Sequence, residues 1–132
     1  MTTKEVKFYL MQYRESLART QELTEHLSEL RAECEKLRDH TGEHIALDAA
    51  VAKYVDACND AAAYLGMLAK LRKDIERTID SVQSERLRSL LREVYVNGKN
   101  LVRIAADRDR SYEHICRLHG AALCAVADIM GK

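Results

Sequence analysis

At 132 residues, with 47% hydrophobic and 32% charged side chains, the chain has the size of one domain, or of one small domain with an extension, and a helix-rich composition. It has no proline and only five glycines, so little interrupts a helix. Its formal net charge of zero argues against a general basic coat for nucleic acid.

Thr2 and Glu5 have capping-box spacing, which predicts a helix start near residue 3. Apolar residues then recur at Leu10, Tyr13, Leu17, Leu23, Leu27, Leu30, Cys34 and Leu37, mostly three or four apart, with Thr20 filling one gap. This near-heptad stripe predicts a long helix packed along another. The opposite face is charged, from Glu15 and Arg19 to Glu33 and Lys36. Gly42 is placed to end the helix and Thr41 to cap the next.

A second long helix is expected from about residue 43 to about residue 80. Its core stripe reads Val51, Val55, Cys58, Ala62, Leu65, Leu68, Ile75 and Ile79, with alanines in the middle that allow close helix approach. Two long helices with a short link make an antiparallel hairpin. Asp80 to Ser84 is the one joint.

Beyond the joint, Ser84 caps a helix over 85–96 with Leu87, Leu90, Leu91 and Val94 inward, and Asn97-Gly98 stops it. Asn100 caps a short helix with Leu101, Ile104 and Ala105 inward. Asp107 to Arg110 form a turn in which Asp109 can take a left-handed conformation. Ser111 caps a last helix with Ile115, Leu118, Ala122 and Val126 inward. The expected fold is all-α: a long, coiled-coil-like hairpin over 1–80 for oligomerisation or partner binding, then a small helix-turn-helix module over 81–132.

A helix-turn-helix lays its second helix in the DNA major groove. Residues 1–80 carry 12 Lys/Arg against 15 Asp/Glu, and residues 81–132 carry 9 against 6, so the excess of positive charge lies with the module. Ser111, Tyr112, Glu113 and His114 fill the first turn of the last helix, where base edges are read, and Arg117 follows one turn on. Arginine is the commonest specific reader of guanine. Asn100 and Ser111 sit at helix N-termini, whose free amides bind phosphate oxygens. Lys99, Arg103, Arg108 and Arg110 are placed for the flanking backbone.

The run Leu91 to Gly98, then Ile104-Ala105, Ser111, and Arg117 to Leu123 resembles the C-terminal module of ArpU/RinA-type phage regulators, and also region 4 of sigma-70-type factors. The long helical first half resembles that phage group in pattern only. The resemblance implies a phage or prophage transcription regulator, an activator of late genes, with Ser111 to Arg117 as its reading turn and Ala122-Leu123 as its core anchor. The family pattern has an apolar residue and a glycine in the turn, where this chain has Asp107-Arg108-Asp109-Arg110; an arginine common before the tyrosine is Val94 here.

The expected partners are double-stranded DNA, a second copy through the long helices, and RNA polymerase or another regulator. No glycine-rich phosphate loop, His-Glu-x-x-His run or nucleophile elbow is present, so neither an enzyme nor a cofactor is expected. Cys34, Cys58, Cys116 and Cys124 lack structural-zinc spacing, so no metal is expected; they read as reduced thiols and the histidines as surface residues. No apolar run reaches bilayer length and residues 1–5 lack a signal-peptide core, so the expected location is the cytoplasm of a bacterial host cell, off the membrane. Two alternatives stand: a phage protein-interaction module that binds a host or phage protein through the hairpin, and a small terminase-like packaging subunit.

Overall fold

The computed structural model describes residues 1–39 and 44–131. All regular structure among them is helical, in five helices: α1 Thr3–Arg38, α2 His44–Asp80, α3 Glu85–Tyr95, α4 Leu101–Asp107 and α5 Tyr112–Met130. None is long and apolar enough to cross a membrane. The expected caps at Thr41 and Gly42 lie outside the described residues.

Two compact units divide the chain, one of residues 1–15 with 70–132 and one of residues 16–69. In the first, the opening turns of α1 and the closing turns of α2 join the three short helices. Val6, Leu10, Tyr13, Ile75, Ile79, Val82, Leu90, Leu91, Ile104, Ile115 and Val126 are all buried there. The start of α1 is set locally, because the Thr2 hydroxyl accepts the Glu5 amide at 3.2 Å. Antiparallel pairing of α1 and α2 follows from Tyr9, whose hydroxyl lies 3.5 Å from that of Thr78, and from Arg72, whose guanidinium covers the Tyr13 ring at 6.0 Å. Arg92 of α3 pairs with Asp80 at the end of α2.

The second unit continues the same hairpin pattern. Tyr64 donates to the Ser16 carbonyl at 2.6 Å, and Arg19 lies 5.7 Å over the Tyr64 ring. The α1 stripe holds at Leu30, which is buried, and at Leu23, Leu27, Cys34 and Leu37, which are half-buried, but Leu17 is exposed.

On α2 the expected core stripe is corrected. In this unit the helix turns Ala50, Tyr54, Ala57, Ala61, Tyr64 and Leu68 inward, a run at heptad spacing. Val51, Val55 and Leu65 stay outside, at 43%, 48% and 53% exposure. Both registers are apolar, and the tyrosines decide between them. Each carries a hydroxyl that must reach a polar partner at the edge of a packed face; Tyr64 finds one in the Ser16 carbonyl.

Candidate nucleic-acid interface

Each of the three short helices begins with a side-chain cap. Ser84 Oγ accepts the Leu87 amide at 3.4 Å, Asn100 Oδ1 the Arg103 amide at 2.8 Å, and Ser111 Oγ the His114 amide at 3.1 Å. These bonds satisfy amides that have no partner inside the helix. Gly98, at φ +74°, ends the excursion after α3 and lets the Lys99 amide reach back to the Glu93 carbonyl at 3.0 Å.

The charged turn between α4 and α5 closes without glycine. Asp109 takes φ +52°, Arg110 donates its amide to the Ala105 carbonyl at 2.9 Å, and Asp109 donates to Ala106 at 3.3 Å. This pair of bonds around a left-handed residue is a Schellman cap. Aspartate suits it because a short polar side chain tolerates that conformation.

Helix α5 packs on both α3 and α4. Ile115, His119, Ala122, Leu123 and Val126 turn inward, while Tyr112, Glu113 and Arg117 are exposed. His119 corrects the expectation of a surface histidine. It is buried, its Nε2 shares a 2.7 Å hydrogen bond with the Tyr95 hydroxyl, and the two rings stack with centroids 5.8 Å apart. Burial pushes the His119 pKa below its usual 6.5, with Lys7 adding to the effect. Burial likewise pushes Tyr95 up to about 12, against a smaller opposing effect of Arg14. The pair is therefore neutral, as a buried polar pair should be.

The ten sequence-expected residues fall into three groups. Arg110, Ser111, Tyr112, Glu113 and Arg117 line the exposed start of α5. Asn100 caps α4, and Arg103 lies one turn along it, largely exposed, with Nε 3.9 Å from Asp107. Lys99, Arg108 and His114 are partly buried in internal bonds. Lys99 Nζ lies 3.4 Å from Glu93 and 3.5 Å from Asp107, and Arg108 pairs with Glu93 at 2.7 Å. His114 meets Arg86, at 3.0 Å between Nε2 and the guanidinium. The network on Glu93 ties α3 to the turn before α5, so two of the expected phosphate-binding cations also brace the module.

Other basic side chains join this surface without having been expected. Lys7 and Arg14 of α1 line an apolar cleft of about 300 Å³ with Asn100, Tyr112 and His119. Arg86, together with the expected Arg110, lines a polar cleft of about 460 Å³ at another edge of α5, with His114 and Leu118. Helical spacing in α1 does place Lys7 and Arg14 on one face, but nothing local to that helix signals which surface they meet.

Comparison with known protein families, curated proteins and solved structures finds no match to this chain.

Proposed function

We propose that the chain is a DNA-binding transcription regulator of the phage or prophage type. It reads a promoter with α5, from Ser111 onward, and activates late genes. One observation carries the reading: α5 is held on its inner face by α3 and α4, while its first turn presents Tyr112 and Glu113, and its second turn Arg117, to solvent. That is the arrangement a recognition helix needs to enter a groove roughly 12 Å wide. The net positive charge of residues 81–132 and the closed, hydrogen-bonded turn support it. The chain works as a homodimer through its long helices, in the cytoplasm of a bacterial host, alongside RNA polymerase or another regulator.

The test is selection of bound duplexes from a random pool, followed by titration across salt. Enrichment of one sequence, with affinity falling steeply as salt rises, is the expected result. The exposed apolar stripe Val51, Val55 and Leu65 favours a second reading, a non-enzymatic module that docks another protein through the hairpin. No salt-sensitive DNA binding at about 50 mM salt decides for that module.

A further inference from the structure

The cleft between α3 and α5 has a composition unlike the rest of the surface. It is lined by Arg86, Arg108, Arg110, His114, Ile115 and Leu118, with no carboxylate among them. Arg108 already has a partner in Glu93. Arg86 and Arg110 have no carboxylate within ion-pair distance among the described residues. A guanidinium can only donate, so Arg86 gives one hydrogen to His114 Nε2 and keeps its others for a ligand. Two guanidinium groups without a carboxylate partner suit an oxyanion, because their planar forks match paired phosphate oxygens.

The cleft also lies in the right place for one kind of oxyanion. It opens beside Arg110 and His114, at the first turn of α5, next to the face that carries Glu113 and Arg117. A helix lying in the major groove has a phosphate backbone running along its flank, and contacts to that backbone fix the register of the protein on the duplex. We infer that this cleft binds a phosphodiester of the DNA strand beside α5, with Arg86 and Arg110 as its ligands. The inference rests on the DNA-binding reading and adds α3, through Arg86, to the contact surface.

The experiment is a salt titration of full-length protein on duplex DNA. Three forms are compared: the wild type, the Arg86→Gln/Arg110→Gln double variant, and a Lys70→Gln/Lys73→Gln double variant. The last removes the same charge from exposed positions of α2. Each phosphate contact adds about 0.9 to the slope of log affinity against log salt. The arginine variant is expected to lose about 0.9 from that slope, and the lysine variant to keep the wild-type slope. Unchanged thermal melting confirms that the arginine variant is folded. An unchanged slope in that variant overturns the cleft and leaves the DNA reading standing. Equal losses in both variants also overturn it, since bulk charge then explains the effect. If the wild type shows no salt-dependent binding, the DNA reading itself fails and the cleft assignment falls with it.

Discussion

His119 and Tyr95 are the residues where local chemistry and packing meet most closely. Removing the Tyr95 hydroxyl strips the buried imidazole of its partner, so Tyr95→Phe is expected to cost about 1–3 kcal/mol in chemical denaturation, despite the near-identical shape. The same pair sets a pH dependence. His119 has a folded pKa below 6.5, so in mildly acid solution the unfolded chain binds a proton that the folded chain refuses. The stability this residue contributes is present above pH 6.5 and is lost as pH falls through the folded pKa. Denaturation midpoints should therefore drop on acidification below 6.5, and His119→Gln should flatten that drop relative to wild type. An equally steep drop in the variant would place the acid sensitivity elsewhere. Arg117 poses the functional question at this scale. Exposed in the second turn of α5, it is expected to lose about 1–3 kcal/mol of specific DNA binding when changed to alanine, measured against a scrambled duplex at matched salt.

Among the elements, what could be read from the sequence was whatever is settled within a few residues. Thr2, Ser84, Asn100 and Ser111 each accept an amide three residues on, a bond that depends on no distant partner. Asp109 belongs with them, since its left-handed turn follows from its own side chain and two local bonds. This gives a prediction: Asp109→Gly should leave stability unchanged or slightly raised, while Asp109→Val should cost about 1–2 kcal/mol or more by putting a branched side chain in the left-handed region. Equal stabilities in thermal melts would show that the turn is not under that constraint. Faces that depend on tertiary partners were harder to read. On α5, the spacing from Ile115 passes through His119 to Ala122 and Val126, but a histidine on that line looked like surface and Leu118 looked like core. On α2, alanine-rich sequence offers two apolar registers side by side, and contacts with α1, from Tyr64 to the Ser16 carbonyl and from Arg19 to the Tyr64 ring, show which one meets it. The clefts of the candidate site were invisible for the same reason, because Lys7, Arg14 and Arg86 join the surface of α5 from other helices.

For the molecule as a whole, the second register on α2 bears on the homodimer proposed above. Positions 51, 52, 55, 58, 59, 62, 65, 66 and 69 follow one another around a single face, and none carries a charge, although 32% of the chain is charged. Lys53, Asp56 and Asp60 lie off this strip. On α1 between residues 19 and 29 the outer face is charged, with Arg19, Glu22, Glu25 and Glu29 exposed, and the most exposed large apolar residue of that helix, Phe8, lies near its start. The homodimer proposed above is assigned to this strip, which would meet itself across a two-fold axis. Antiparallel pairing about residue 60 would set Val55 opposite Leu65, Val51 opposite Ala69 and Cys58 opposite Ala62. Sliding by one heptad brings Arg72 against Val55 in one direction and Asp48 against Leu65 in the other, so charge excludes the neighbouring registers. A lysine at either Val55 or Leu65 would bury an unpaired charge across the dyad. Light scattering is expected to give the mass of two chains for the wild type and of one chain for Val55→Lys and for Leu65→Lys, with helix content by circular dichroism unchanged. The monomeric variants should also bind a two-half-site duplex more weakly than wild type while matching it on a single half-site, because pairing multiplies the contacts of one small recognition helix. A wild type that sediments as a single chain, or lysine variants that remain paired, would remove this face from the interface.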